Sequence, residues 1–365
     1  MFTKILVPLD GSKRAESALP VATRIARASG GSIVLLRVAL IPKDYSRYMG
    51  VDSMPASYAL SVEVPSAQEV IDREVYTAKS YLRKIATSDM LAGITTETNV
   101  LVGSVAQSII STVQAAGVDL ITICSHGYSG LKRWMIGSVA QKVARHSPVP
   151  VLVLRESAGI PTNLHPDGMR PVRVLVALDG SALSEIALAP AAQLSAALSA
   201  PDQGALHLVQ VIHFPELEGD GQYGTMSETR KLAVSTAQAY LTTVKERLTE
   251  GDLAPLNLQV TSSVVTNTDV ANTIIGMAEL GEGMEVKQGF NGCDLIAMAT
   301  HGRGGPERWV VGSVTERVLD ATKLPLLIVR SHKLGSKGEE VEISTDTGNT
   351  RSKAAASMES WVGLL

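Results

Sequence analysis

Short apolar runs alternate with longer amphipathic stretches along most of the chain. In the first half the runs are KILVPL from Lys4, SIVLLRV from Ser32, TTETNVLV from Thr95, LITIC from Leu120 and VPVLVL from Val149, each bounded by Gly, Pro or Asp. Between them, Ser12 to Ser29 and Gln68 to Thr87 place apolar residues three and four apart, the spacing of one helix face. Strands that are nearly continuously apolar and separated by helices predict a parallel sheet covered on both faces, a doubly wound α/β unit of five strands. Ligands of such sheets bind outside the C-terminal strand ends, where strand order reverses.

The pattern then repeats. KILVPLDGS from Lys4 returns as RVLVALDGS from Arg173, SHGYSGLKRWMIGSVAQKVAR from Ser125 as THGRGGPERWVVGSVTERVLD from Thr300, and VPVLVLR from Val149 as LPLLIVR from Leu324. SVAQSII from Ser104 matches DVANTII from Asp269, with a ten-residue gain after the second copy in LGEGMEVKQGFN from Leu280. Two copies of one unit follow, at 1–155 and 171–331, joined by a Pro/Gly/Asn-rich linker at 156–170. Residues 332–365, rich in Ser, Gly, Glu and Thr, read as a flexible tail. The last strand of each copy is apolar enough to need cover, so the copies are expected to associate through VPVLVLR and LPLLIVR as a pseudo-dimer within one chain. Another surface remains for pairing with a second chain.

Composition narrows the function. Of 365 residues, 45% are hydrophobic and 19% charged, which suits a globular chain with a sizeable core. A net charge of -3 provides no global positive field, which argues against nucleic acid as the main partner. Two cysteines, Cys124 and Cys293, lack metal-ligand spacing and are too few for a disulfide framework, pointing to a reducing cytoplasm. The sequence has no apolar run long enough to span a bilayer and no signal-like leader, so no membrane association is expected.

The strands ending in LDGS and in CSHG or ATHG carry the unusual residues to the ligand edge. Neither a GxxxxGK[ST] loop nor GxGxxG occurs. Instead, Gly127-x9-Gly137-Ser138 and Gly302-x9-Gly312-Ser313 join the fourth strand of each copy to the next helix. Glycines let backbone amides approach an anion, the serine adds a donor and a cap, and the helix N-terminus adds partial positive charge. The segment is built like a phosphate cradle, although turn geometry and helix capping alone would account for the same residues. His126 and His301 could act as acid or base, or hydrogen-bond backbone or phosphate. Asp10 and Asp179 either bind ribose hydroxyls or a metal-bound water, or cap the following helix. Lys132, Arg133 and Arg308 either neutralise phosphate or face solvent, while Trp134 and Trp309 read as packing residues. Cys124 reads as a buried small hydrophobe.

These motifs, in this order and twice, resemble tandem universal stress protein domains of the UspA type, with a Rossmann-like fold. The resemblance covers nearly the whole chain apart from linker and tail. It implies an adenine nucleotide ligand: ATP, or AMP or ADP, with Mg²⁺ held by the phosphates. Adenine and ribose would lie against Pro8, Leu9, Asp10 and Val38, and phosphates against Gly127, Gly137, Ser138 and Val139. The second-copy positions are Ala177, Leu178, Asp179, Val211, Gly302, Gly312, Ser313 and Val314. The family's ATP-binding members carry G-x2-G-x9-G-[ST], whose first glycine is Cys124 in one copy and Ala299 in the other. The second copy also has Ala177 for Pro8, Thr268 for Gly103 and Pro306 for Leu131, so the first copy is expected to bind more tightly. The resulting reading is a stress-response nucleotide binder with no assembled catalytic set. A slow ATPase or phosphotransferase at the same site, and a nucleotide-free interaction scaffold, are the alternatives.

Overall fold

The computed structural model describes residues 1–39, 66–125, 137–155, 171–214, 223–281, 292–300 and 312–330. In the first half these form β1 (Lys4–Pro8), α1 (Lys13–Glu16), α2 (Ala18–Ser29), β2 (Ser32–Ala39), α3 (Ala67–Ala86), β3 (Thr96–Val102), α4 (Val105–Ala116), β4 (Leu120–Cys124), α5 (Ser138–His146) and β5 (Val151–Leu154). The second half repeats the order with β6 (Arg173–Leu178), α6 (Ala182–Glu185), α7 (Leu188–Ser199), β7 (Ala205–His213), α8 (Tyr223–Glu250), β8 (Gln259–Asn267), α9 (Val270–Leu280), β9 (Leu295–Ala299), α10 (Ser313–Ala321) and β10 (Leu326–Val329). The amphipathic stretch from Ser12 is two helices, because Ser17 ends α1 and turns its hydroxyl back to Arg14 O at 2.7 Å.

Strand order is β3-β2-β1-β4-β5-β10-β9-β6-β7-β8 in a single ten-stranded sheet. Each half is a parallel five-stranded sheet, and the halves meet where β5 and β10 pair antiparallel, with Leu152 opposite Leu327. Alternation along each strand divides the core into two layers. Ile5, Val7, Ile33 and Leu35 face the layer with α2, while Leu6, Val34 and Leu36 face the layer with residues of α4 and α5. Helices from the two halves also meet over the seam: α2 packs on α7. On the opposite face Arg145 pairs with Glu316, and the buried Arg155 guanidinium donates to Leu319 O. In both halves the first strand lies between the second and fourth, so strand order reverses there, the place where ligands of such sheets bind.

Candidate nucleotide site

One turn after the first strand lies at the candidate ligand edge of each half. In the first, Asp10 Oδ1 accepts from Ser12 N–H at 2.9 Å, and Ser12 Oγ accepts from Ala15 N–H at 3.1 Å. In the second, Asp179 Oδ1 accepts from the Ser181 amide at 2.9 Å and its hydroxyl at 2.6 Å, and Ser181 Oγ accepts from Ser184 N–H at 3.2 Å. The helix caps are therefore the serines. The aspartates shape the preceding turn, correcting the alternative that they cap the helix themselves. Gly11 and Gly180, at φ +88° and +81°, supply the left-handed residue that this turn requires.

Gly137 and Gly312 open the cradle helices. Gly137 N–H donates to Ser125 O at 2.5 Å and Gly312 N–H to Thr300 O at 2.6 Å, tying each helix start to the strand before it. Both glycines are N-caps, which makes Ser138 and Ser313 the first helical residues rather than the caps expected from sequence. Gly137 has φ -66° and ψ 147°, and Gly312 φ -55° and ψ 143°, values that any residue adopts. Backbone strain therefore does not explain either glycine. The next amides, of Ser138, Val139 and Ala140 or of Ser313, Val314 and Thr315, have no carbonyl partner within their helix and carry its partial positive charge.

The structure brings the ends of β1, β2 and β4 to one edge with the start of α5. Pro8, Leu9, Asp10, Val38, Cys124, Gly137, Ser138 and Val139 gather there, and Ala177, Leu178, Asp179, Val211, Ala299, Gly312, Ser313 and Val314 gather in the other half. Leu9 N–H is held by Leu36 O at 2.8 Å. His126, Gly127, Leu131, Lys132, Arg133, Trp134, His301, Gly302, Pro306, Arg308 and Trp309 lie outside the described residues, as does most of the ten-residue insertion.

Cys124 and Ala299 end their strands. Among the described residues only Asn257 combines a side chain with positive φ, so replacing the family's first glycine by these residues costs no backbone strain. Cys124 is only half-buried, and its Sγ lies 3.0 Å from Ser17 Oγ, which corrects the expectation of a buried hydrophobe. The β3–α4 turn differs between halves as the sequence suggested. Gly103 sits at φ +138°, whereas Thr268 is not at positive φ, and there the following helix is capped by Asp269, which accepts from Asn272 N–H at 3.0 Å.

Sequence reasoning missed the cluster beside the first turn. Arg37 lies over the Tyr81 ring, 4.9 Å from its centroid, and Tyr81 donates to Glu16 Oε1 at 3.1 Å. Burial foremost, and the Glu16 charge after it, push the Tyr81 phenol up. One signal was present: Arg37 interrupts an otherwise apolar strand run. Among the described residues, no three His, Cys, Asp or Glu side chains are grouped to hold a metal.

A doubly wound sheet with a helix N-terminus opening beside each switch point defines a tandem, Rossmann-like α/β protein. The sequence model of the Universal stress protein family matches residues 1–155 and again 172–330, and the chain belongs to that family. Universal stress protein YxiE of Bacillus subtilis is 31% identical over 42% of this chain and 100% of its own length. A universal stress protein of Mycolicibacterium smegmatis is 26% identical over 89% of this chain and 96% of its own. The crystal structure of a universal stress protein from Archaeoglobus fulgidus shares the fold at a TM-score of 0.55 and 19% identity, covering 90% of this chain and 98% of that one. No helix among the described residues is long and apolar enough to cross a membrane.

Proposed function

We propose that each half binds one adenine nucleotide at this edge, ATP first among them, and that the protein holds it in a stress-response role in the cytoplasm rather than turning it over efficiently. The observation that carries this reading is the pair of glycine caps. Gly137 and Gly312 adopt backbone angles open to any residue, so neither glycine relieves backbone strain, and a cap without a side chain would let an anion approach the helix N-terminus. Phosphates would be held by the amides of Ser138 and Val139 together with Gly127 and His126, and in the other half by those of Ser313 and Val314 with Gly302 and His301. Base and ribose would lie against Pro8, Leu9, Asp10 and Val38, or Ala177, Leu178, Asp179 and Val211. The phosphates bring their own Mg²⁺.

Purified protein, denatured and chromatographed, should release an adenine nucleotide. Retained ATP supports binding without turnover, accumulated ADP or AMP supports slow hydrolysis, and an empty protein that also fails to take up added ATP would favour the scaffold alternative.

A further inference from the structure

The seam between the halves joins equivalent positions. VPVLVLR from Val149 aligns with LPLLIVR from Leu324, and SVAQKVAR from Ser138 with SVTERVLD from Ser313. In that alignment Leu152 is the counterpart of Leu327, and the two pair directly across the seam. The strands alone would therefore let two copies of the first half, or two of the second, pair in the same register.

The charges over the seam break that symmetry. Arg145 is the counterpart of Asp320, and Gln141 of Glu316. Arg145 pairs with Glu316 across the seam, and Arg155, only 8% exposed, donates to Leu319 O. Asp320, the next residue, is close enough to attract both Arg155 and Arg145. Of these four charges, both bases come from the first half and both acids from the second. Two first halves in the same register would lose both acids. Gln141 would stand where Glu316 does, and Arg145 of one copy would face Arg145 and the buried Arg155 of the other. Two second halves would set Asp320 of one copy against Asp320 and Glu316 of the other. Like charges at this range repel, most strongly where one of them is buried. The Arg145–Glu316 pair is about a third exposed on each side and alone would contribute little. The discrimination comes from the buried Arg155 and from attraction turning to repulsion in a like pair.

We infer that these four charges make the seam a selective pairing surface, one that fits the opposite half and rejects a second copy of the same half. The partner that the first-half face accepts is a unit of this fold with carboxylates at the positions of Glu316 and Asp320. Specificity of this kind needs a repulsive element against the wrong partner as well as an attractive one toward the right partner, and both are present here. Arg145 and Asp320 lie in the last turns of α5 and α10, at the opposite end from the glycine caps, so the inference does not rest on nucleotide binding.

A protease site placed in the linker at 156–170 lets the folded full chain be cut between its halves. Cut protein is mixed with an isotope-labelled batch, and native mass spectrometry reads both the exchange of label and the composition of each pair. Unlike pairs should outnumber either like pair at least tenfold, and high salt should reduce that preference. Like pairs in statistical proportion after exchange would overturn the inference. Thermal unfolding of the uncut chain gives a second reading, which decides the matter if the cut halves separate or do not exchange. Arg145→Gln should lower Tm in the wild type, where it removes an attraction to Glu316 and Asp320. In an Asp320→Arg background the same change should raise Tm, because there it removes a repulsion. If Asp320→Arg does not fold, Arg145→Gln should lower Tm less in Asp320→Asn than in the wild type. Shifts of the same sign and size in both backgrounds would also overturn the inference, since Arg145 would then act through packing alone.

Discussion

Single residues separate the two halves more sharply than their shared fold suggests. His207 stands on β7 where the first half has Val34, with Nδ1 2.8 Å from Thr261 Oγ1. Burial above all, and then the Arg173 charge, push its pKa down to about 4 from 6.5. Between those values the unfolded chain takes up a proton that the folded chain refuses, so stability falls as pH drops through that window and is unaffected above it. The loss by pH 4 is on the order of 3 kcal/mol at this one site. Urea unfolding at pH 7 and pH 4.5 should show a smaller pH-dependent loss in His207→Val than in wild type, and an identical loss would mean that the imidazole is not shielded. Gly137 makes the complementary case. Its φ of -66° suits a valine, so Gly137→Val should leave Tm within a few degrees of wild type while closing the first cradle. A variant that unfolds would show the glycine to be structural.

At the scale of elements, the strands and their order of appearance were legible because fully buried parallel strands are continuously apolar, and the internal repeat gave each assignment a second witness. The break at Ser17 was not legible, since it depends on a hydroxyl turning back onto Arg14 rather than on periodicity. The cap positions were read one residue late, because a glycine N-cap leaves no side chain to announce it. Of the candidate site, the sequence marked the turn residues and the glycine-capped helix starts. It did not mark Arg37 and Tyr81, which only the packing of α3 on β2 brings together. Helix starts also differ in strength. α3 begins with a full capping box, in which Ser66 Oγ accepts from Glu69 N–H at 3.2 Å and Glu69 Oε2 accepts from Ser66 N–H at 2.6 Å. Ser66→Ala should cost about 1 kcal/mol in chemical denaturation, and no cost would show that this end is frayed in solution. α10 carries Glu316 in its first turn where α5 has Gln141. On the proposed function, a carboxylate there would compete with bound phosphate, and its ion pair with Arg145, both side chains about a third exposed, would offset only part of that charge. Glu316→Gln should therefore tighten the second site about two- to fivefold at low salt, within the ~0.3–1 kcal/mol of a charge at a helix end. Unchanged affinity would place that charge outside the cradle's reach.

Across the whole molecule, duplication has turned two sheets into one. The β5–β10 seam joins Leu152 and Leu327, both fully buried, so Leu152→Asp should unfold or separate the halves rather than locally loosen one. Retention of wild-type stability and hydrodynamic radius would mean that the seam opens freely. On the proposed function, the same duplication leaves two candidate nucleotide sites expected to differ in affinity. The first keeps Pro8 and the positive-φ Gly103, whereas the second substitutes Ala177 and Thr268 and adds Glu316. A difference of about 1.4 kcal/mol is already tenfold in affinity, so modest losses separate the sites. Isothermal titration with ATP of nucleotide-free wild type, Gly137→Val and Gly312→Val tests this most directly. Two events are expected in the wild type, the tighter lost in Gly137→Val and the weaker in Gly312→Val. No binding in the wild type, or two events untouched by either valine, would contradict the assignment of the glycine-capped helices as the nucleotide cradles.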